Sequence, residues 1–315
     1  MNTMTDGNLL LKSVPAFMQL ESRFDTEYGV LWGLMDPLPR PCFNETLLEE
    51  LHQFVQKIQD GHGSYSYEGK LHPLSYGVIA SKTPGVFNLG GDLALFKKAI
   101  LDRDRSLLVN YGHRCISNQF PWYEGFGRSF TTISLVQGDA LGGGFECALS
   151  SSVIIAEESS RMGFPEVLFN LFPGMGAYSF LARKVGRREA ERLIVSGNIY
   201  TARELFDLGV IDVITPDGTG EAAVYSFIKR HSKSLNARRG LEQIAREFDP
   251  ITYGELARVV EIWADAAMRL EPKDLRMMER LLRAQARSEN AAEIAVPEKA
   301  NVVRLEPTVS AVGDD

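Results

Sequence analysis

Glu146 and Glu166 are the two side chains of this sequence best suited to acid–base chemistry. Glu146 lies three residues after Gly143, in the first turn of a helix that a glycine triplet opens. Glu166 stands among apolar neighbours in the stretch GFPEVLF, residues 163–169. A carboxyl group in apolar surroundings keeps its proton to a higher pH than usual, which suits it to proton transfer near neutrality. The pair therefore predicts general acid–base catalysis.

Each glutamate also has a purely structural interpretation. An acidic residue in a first helical turn, such as Glu146, stabilises the helix by balancing its dipole. Glu166 could be a surface acid on a loop. A lone acid between phenylalanine, proline, valine and leucine is nevertheless unusual, because a buried carboxylate is costly unless it is paired or used.

Two glycine-rich turns, each leading from a strand into a helix, could supply backbone N–H groups to a ligand. One is Gly142-Gly143-Gly144, and the other is Gly90-Gly91 in FNLGGDL, residues 87–93. A helix N-terminus exposes unpaired N–H donors, and glycine lets a ligand approach the backbone closely. Taken alone, the triplet is more often a packing feature, and Asp92 is more often a plain helix N-cap. Together, the turns predict paired donors that stabilise the enolate of a thioester.

Strands that alternate with helices position these groups, which predicts an α/β fold. Strands are expected over 24–35 (with a possible hairpin), 76–81, 131–136 and 152–156. Helices are expected after the N-cap Asn44, from residue 93, and over part of 105–127, where Pro121 should interrupt. After Pro173 the chain is predicted to be mostly helical, over 175–185, 187–195, 201–208, 219–235 and 251–286.

The composition excludes several function classes. The chain has 315 residues, 44% hydrophobic and 24% charged, with a net charge of −7 and a pI near 5.4, which argues against a nucleic-acid binder. Three cysteines lack metal-ligand spacing, and no serine-hydrolase elbow or dinucleotide fingerprint is present. We therefore expect no metal site and no cofactor. Without a signal peptide or a long apolar run, the expected location is the cytoplasm, with no membrane contact.

Four motifs in order resemble the crotonase (enoyl-CoA hydratase/isomerase) superfamily over roughly residues 24–290. They are FNLGGD (87–92), QGDALGGGFE (137–146), FPE (164–166), and GNIYTA (197–202) continuing to LGVID (208–212). The resemblance implies that Glu146 and Glu166 are catalytic and that the N–H groups of Gly91 and Gly143 form the oxyanion hole. Four flanking residues are expected to contact the substrate: Gly90, Leu141, Gly142 and Met175.

Further stretches resemble the bacterial diffusible-signal-factor synthases, which make cis-2-unsaturated fatty-acid signals. These are FPEVLFNLFPGMGAY (164–178), EIWADAAM (261–268) and MERLLRAQ (278–285). This resemblance implies dehydration of a 3-hydroxyacyl group, carried on acyl carrier protein or CoA, followed by thioester cleavage that releases a quorum-sensing acid. It makes Trp263 and Leu281 candidate acyl-pocket residues, although core packing is the commoner role. It also suggests a sensor-kinase partner.

Two other functions stay open. One is a conventional 2-enoyl-CoA hydratase of fatty-acid metabolism, and the other is a non-catalytic scaffold or binding protein. The cations Lys97, Lys98, Arg103 and Arg105 could face an acidic carrier protein, or could equally form a solvated helix face.

The resemblance also implies an architecture, the ClpP/crotonase-like spiral of ββα units with a helical C-terminal region that forms a homotrimer. The expected divisions are an N-terminal arm (1–20), a catalytic core (21–215), a helical C-terminal domain (216–290) and a disordered tail (291–315).

Overall fold

The structure, a computed structural model, describes residues 17–127 and 130–294. Most of the expected arm (1–16) and of the expected tail (295–315) therefore lies outside the described residues. The structure describes only residues 17–20 of the first and 291–294 of the second, so these divisions stay predictions. Leu20 already belongs to the first strand, and the last helix continues to Ile294.

Within these described ranges, twelve strands form two principal sheets and one hairpin. The strands are β1 Leu20–Asp25, β2 Val30–Met35, β3 Ser64–Tyr67, β4 Lys70–Pro73, β5 Tyr76–Ser81, β6 Gly85–Asn88, β7 Thr131–Val136, β8 Gly138–Leu141, β9 Val153–Glu157, β10 Arg161–Gly163, β11 Ile199–Thr201 and β12 Val213–Thr215. The larger sheet has the order β1-β2-β5-β7-β9-β12, the smaller has β11-β10-β8-β6, and β3 pairs with β4.

Eleven helices complete the described part of the chain. They are α1 Glu45–Asp60, α2 Leu93–Leu101, α3 Arg105–Tyr123, α4 Gly143–Leu149, α5 Ala177–Val185, α6 Arg187–Val195, α7 Ala202–Asp207, α8 Gly220–Ser232, α9 Leu235–Phe248, α10 Tyr253–Ala267 and α11 Pro272–Ile294. The expected N-caps Asn44 and Asp92 both accept backbone N–H groups of the helices that follow them.

A repeated ββα unit generates the spiral that the family resemblance implies. In each repeat the first strand (β5, β7 or β9) joins the larger sheet, and the second (β6, β8 or β10) joins the smaller one. Neighbouring repeats pair in parallel in both sheets, and a helix or 3-10 turn follows each second strand. The two turns that carry Gly91 and Gly143 are equivalent points of successive repeats, which brings them side by side.

Two helical predictions are wrong in detail, and one helix was missed. The helix expected over 251–286 is two helices, since α10 ends at Ala267 and Pro272 starts α11, where a missing N–H costs nothing. Helix α3 continues through Pro121 to Tyr123, because a proline so close to the end disturbs only the last turn. Helix α9 was not expected.

The core lies between the two sheets and the helices that cover them. Fully buried aromatic side chains, including Phe87, Phe145 and Phe164, pack around the glycine turns. Phe145 and Phe164 stack with ring centroids 5.0 Å apart, which joins α4 to the segment that carries Glu166. Among the described residues, no helix combines the length and apolar character needed to cross a bilayer.

Candidate active site

A cavity of about 790 Å³ brings the predicted site residues together. Nine of the ten residues line it: Gly91, Leu141, Gly142, Gly143, Glu146, Glu166, Met175, Trp263 and Leu281. Gly90 lies just behind the wall and is buried. The chain therefore assembles one concave site from residues 190 positions apart.

The two glycine turns touch each other through their backbones. A side chain at Gly90, whose φ is +98°, would place its Cβ 2.8 Å from the Leu141 carbonyl oxygen and 3.0 Å from the Gly143 nitrogen. Both contacts and the positive φ require glycine. Close approach of the turns sets the amides of Gly91 and Gly143 next to each other.

These two amides are available to a ligand. The amides immediately before them are occupied: that of Gly90 donates to Asn88 Oδ1 at 2.8 Å, and that of Gly142 to the Gly163 carbonyl at 2.9 Å. Among the described residues, no acceptor is recorded for the Gly91 or Gly143 N–H. Both glycines line the cavity, so a carbonyl oxygen placed there could accept from both.

One carboxyl oxygen of Glu146 is fixed by backbone hydrogen bonds, and the other is not. Its side chain is 1% exposed, and its Oε1 accepts the amides of Met175 at 2.7 Å and Ala177 at 3.0 Å. Burial raises the pKa of Glu146 to about 7, although the two amides oppose the rise. Since both amides bind Oε1, the other carboxyl oxygen is the one that can act on a ligand.

Glu166 belongs to the 3-10 turn Pro165–Phe169 that follows β10. Its Oε2 is buried and has no hydrogen-bond partner in the described part of the chain. Burial, and then the nearby charge of Glu146, raise the pKa of Glu166 to about 8. A buried acceptor without a donor is costly, so its retention in a cavity wall points to use with a ligand.

The two carboxyl groups therefore hold one proton between them near neutral pH. Their mutual repulsion favours a state in which only one is ionised. The amides of Met175 and Ala177 favour the ionised form of Glu146, whereas Glu166 has its own backbone amide and leaves Oε2 without a donor in the described part of the chain. The arrangement places two carboxyl groups with unequal hydrogen bonding in one site, which suits the pair to proton transfer.

Substituting Gly142 by alanine should displace Glu166 and lower turnover by about a hundredfold. A Cβ at this position would lie 2.3 Å from Glu166 Oε1, and the φ of +53° disfavours any side chain. Steady-state kinetics with a circular-dichroism melt would check this. The matched control is Gly209→Ala, which has φ +79° and no atom within 4 Å of a Cβ, so it carries backbone strain alone. Equal turnover losses in the two variants would contradict the prediction.

One wall of the cavity was missed at the sequence level. Tyr111, Cys115 and Gln119 of α3 line it, with Phe43 and Phe96 beside them. The Tyr111 hydroxyl donates to the Phe43 carbonyl at 2.6 Å, which ties α3 to the segment before α1. The four-residue spacing of Tyr111, Cys115 and Gln119 predicts that they share one face of α3. The sequence does not show that this face borders the site.

The predicted acyl-pocket residues Trp263 and Leu281 come from α10 and α11. Trp263 is 2% exposed, and its ring meets Phe96 edge-on with centroids 5.1 Å apart. Leu281 of α11 also lines the cavity. Both sites are compatible with core packing as well as with contact to an acyl chain, so their role stays a prediction.

The four cations that could contact a carrier protein form ion pairs or hydrogen bonds within the chain itself. Lys97 pairs with Glu279, Lys98 with Asp102, and Arg105 with Glu261 and Asp265; Arg103 donates to the Met268 carbonyl. These contacts favour the solvated-face interpretation. Within residues 17–127 and 130–294, no group of three or more His, Cys, Asp or Glu could hold a metal ion.

Comparison with known proteins identifies what this arrangement is similar to. The sequence model described as enoyl-CoA hydratase/isomerase matches residues 34–249. A probable mitochondrial enoyl-CoA hydratase 2 of Arabidopsis thaliana is 26% identical over 91% of this chain and 86% of its own length. The fatty acid oxidation complex subunit alpha of Pseudomonas savastanoi pv. phaseolicola is 30% identical over 60% of this chain. The chain spans about a quarter or less of the length of several curated relatives, including that subunit.

Solved structures share the fold at low sequence identity. DspI from Pseudomonas aeruginosa superposes with a TM-score of 0.63, at 21% identity, over 76% of this chain and 86% of that chain. The spiral of ββα units and the helical C-terminal region are therefore the crotonase fold.

Proposed function

The chain belongs to the enoyl-CoA hydratase/isomerase family, and from this premise we propose that it dehydrates a 3-hydroxyacyl thioester to a cis-2-enoyl thioester and then hydrolyses it. The product is a free fatty acid of the diffusible-signal-factor type. The observation that carries the proposal is the pair of buried carboxyl groups with raised pKa in a cavity that also receives two free amides. Motif resemblance over residues 164–178 and in the helical C-terminal region supports the finer assignment.

The first step is loss of water. The thioester carbonyl accepts the N–H groups of Gly91 and Gly143, which stabilises negative charge on its oxygen. The ionised Glu146 removes a proton from C2, and the electron pair moves into the enolate. Protonated Glu166 donates to the C3 hydroxyl, the C3–O bond breaks, and the enolate collapses to the C2=C3 double bond. At the end, Glu146 carries a proton and Glu166 is ionised.

The second step restores the starting protonation states. Ionised Glu166 takes a proton from water, whose oxygen bonds to the thioester carbon. The same two amides hold the oxygen of the tetrahedral intermediate. The C–S bond then breaks, and Glu146 gives its proton to the departing thiolate. Each carboxyl acts once as acid and once as base, which accounts for dehydration and hydrolysis in one site.

A conventional 2-enoyl-CoA hydratase is the second candidate. The first step run in reverse is hydration, and it uses the same four groups. The names of the Arabidopsis and other relatives favour it. A non-catalytic scaffold is disfavoured, because two unneutralised buried carboxyls destabilise the fold without a use.

Product analysis separates the candidates. The protein is incubated with 3-hydroxydodecanoyl–acyl carrier protein and, in parallel, with trans-2-enoyl-CoA esters, and the products are identified by mass spectrometry. Release of free cis-2-dodecenoic acid supports the synthase. Reversible hydration of the CoA esters without acid release would contradict it and favour the hydratase. No reaction with either thioester would favour the scaffold.

The rate of the proposed reaction should depend on pH as a bell-shaped curve. Activity should fall below pH 7, as Glu146 (pKa about 7) gains its proton and can no longer act as base. It should fall above pH 8, as Glu166 (pKa about 8) loses the proton that the leaving hydroxyl needs. Measurement of kcat/KM across the range checks this. A rate that is flat from pH 6 to 9 would contradict it.

A homotrimer is part of the proposal, and helix α9 favours self-association. Its charged side turns inward, where Glu242 accepts from Thr131 and Arg246 donates to Ser152. Its apolar residues Leu241, Ile244 and Phe248 point outward, and Phe248 is 89% exposed. An apolar stripe on the outside of a helix is typical of a surface that another chain covers. A sensor-kinase partner, suggested by the motif resemblance, is likewise a proposal.

Substituting Phe248 by aspartate should shift the oligomer toward smaller species. A charge in a covered apolar stripe would be desolvated without a partner. Light scattering coupled to size-exclusion chromatography measures the mass. Glu247→Asp, a conservative change at an exposed neighbouring position, serves as control. An unchanged mass for the Phe248 variant would show that this stripe is not the interface.

A further inference from the structure

Three successive backbone amides lie at the first glycine turn, and two of them are occupied within the chain. The amide of Gly90 donates to Asn88 Oδ1 at 2.8 Å. The amide of Asp92 donates to the Tyr111 hydroxyl at 3.4 Å. Among the described residues, no acceptor is recorded for the amide between them, that of Gly91. A ligand carbonyl that meets this turn therefore finds one unoccupied donor, the Gly91 N–H.

The direction of the Gly91 N–H is set from the other end of its peptide group. The carbonyl of that peptide belongs to Gly90 and accepts the amide of Phe43 at 2.8 Å. The peptide is trans, so its C=O and N–H bonds point in opposite directions and the N–H points away from the Phe43 main chain. A hydrogen bond to the carbonyl also polarises the N–H of the same group and strengthens it as a donor. The position of Phe43 therefore controls both the direction and the strength of this donor.

The Tyr111 hydroxyl fixes Phe43 against the turn. Phe43 and Gly91 form a single parallel β-bridge. The hydroxyl lies between the two chain segments, where it donates to the Phe43 carbonyl at 2.6 Å and accepts the Asp92 amide at 3.4 Å. The first contact has the short distance of a strong O–H···O bond, and the second is long and weaker. One hydroxyl thus links the segment before α1 to the residue that follows Gly91.

Tyr111 is itself held in place by packing. The residue is 4% exposed, and its ring meets Phe96 edge-on with centroids 4.9 Å apart. A Cβ at Gly91 would lie 2.5 Å from the Phe96 ring and 3.5 Å from the Tyr111 hydroxyl oxygen, so both groups lie against the Gly91 backbone. Burial raises the pKa of Tyr111, so the hydroxyl keeps the proton that it donates to Phe43. Packing and protonation therefore keep the hydroxyl in place as a donor.

We propose that Tyr111 is a positioning residue of the oxyanion hole, which orients the Gly91 N–H through Phe43 and occupies the Asp92 amide. Tyr111 does not need to touch the reacting atoms, because it acts through the Gly90–Gly91 peptide. Without the hydroxyl, the Phe43 carbonyl and the Asp92 amide would each lose a buried partner, and the turn would relax by rotating that peptide. The inference deepens the proposed function and rests on it for the identity of the ligand, a thioester carbonyl.

Replacing Tyr111 by phenylalanine tests the assignment, since it removes the hydroxyl and keeps the ring against Phe96. Complete loss of one oxyanion donor costs about 10² to 10³ in kcat, so a misdirected donor should cost about tenfold. KM should change by less than about twofold, because this hydrogen bond strengthens mainly as negative charge develops on the oxygen. A kcat equal to the wild-type value would overturn the proposal, whatever happens to KM.

Tyr200→Phe is the matched control. Tyr200 is also buried, at 9% exposed, and its hydroxyl lies 2.9 Å from Ser196 Oγ, but the residue does not line the cavity. This variant loses a comparable buried hydrogen bond and should keep the wild-type kcat. A fall in its kcat as large as that of Tyr111→Phe would show that the effect is a general consequence of losing a buried hydroxyl, and would equally overturn the assignment.

The carbonyl band of a bound ketone gives a readout that does not depend on turnover. The probe is a ketone analogue of dodecanoyl-pantetheine, isotopically labelled at the carbonyl carbon, in which a methylene group replaces the sulfur so that the probe cannot be hydrolysed. In infrared difference spectra, its C=O band should lie at lower wavenumber in the wild-type and Tyr200→Phe complexes than in the Tyr111→Phe complex, because two well-directed donors polarise the carbonyl.

The ketone also separates this inference from the proposed function. If no thioester is turned over while the band still differs between wild type and Tyr111→Phe, the proposed function fails and the assignment of Tyr111 stands. Equal band positions in these two proteins, or a ketone that does not bind to the wild type, would overturn the assignment.

Discussion

Replacing either Glu146 or Glu166 by glutamine should lower kcat for the 3-hydroxyacyl thioester by about 10² to 10⁴. A positioned acid or base contributes a factor of that size, and each glutamate serves in both proposed steps. Glutamine keeps the shape of the side chain but can neither take nor give the proton. Because the two groups act as a unit, the double variant should be scarcely slower than the worse of the single ones.

The same variants should be more stable than the wild type at about pH 8. A lower kcat in a more stable protein cannot be caused by unfolding. The pKa of Glu166 is raised from its ordinary 4.5 to about 8, so the folded protein binds this proton more tightly than the unfolded chain. The contribution of Glu166 to stability therefore falls as the pH rises from about 4.5 to about 8. Glu166→Gln removes that penalty, and we expect its Tm to rise by roughly 2–4 °C or more at pH 8. Turnover near the wild-type rate in either variant would contradict the assignment.

Replacing Gly143 by proline should lower kcat by about 10² to 10³, the usual cost of losing one oxyanion donor. Gly143 is the first residue of α4, a position where proline fits a helix because its N–H has no partner within the helix. The substitution thus deletes the donor while keeping the helix. Few backbone amides can be removed so selectively.

Gly143→Ala is the matched control for the added side chain. A Cβ at this position would meet Gly90 Cα and the Gly91 nitrogen at 3.4 Å, an ordinary contact that alanine and proline share. The ratio of the two rates therefore reports the loss of the N–H together with the ring carbon that proline places on the same nitrogen. Equal rates for the proline and alanine variants would mean that this amide does not hold the reacting oxygen.

Local signals were enough to find the candidate catalytic groups. Gly90-Gly91 and Gly142-Gly143 are recognisable because each turn requires glycine, and Glu146 follows one of them within a helical turn. Glu166 was conspicuous among apolar residues. The central strands of the larger sheet, such as β5 and β7, are six residues long and continuously hydrophobic, so they were predicted as well, whereas the three-residue β12 was not.

Features that depend on tertiary packing were not predicted. The strands of the smaller sheet, such as β8 and β10, have only three or four residues and lack a measurable period. Helix α9 turns its arginines inward and its apolar residues outward, the reverse of the usual pattern. Tyr111 and Gln119 line the cavity only because α3 lies beside the glycine turns. That position is set by tertiary packing and cannot be read from the residues around them in the sequence.

Infrared titration of the carboxyl groups would test the central claim, that Glu146 and Glu166 share one proton at neutral pH, without knowledge of the natural substrate. Near pH 7.5, where ordinary carboxyl groups are ionised, wild-type protein should show the carbonyl band of a protonated acid. The band should disappear near pH 10 and should be much weaker at pH 7.5 in Glu166→Gln, because Glu146, with a pKa of about 7, is then mostly ionised. A wild-type protein whose protonated band is already lost near pH 5 would contradict the account.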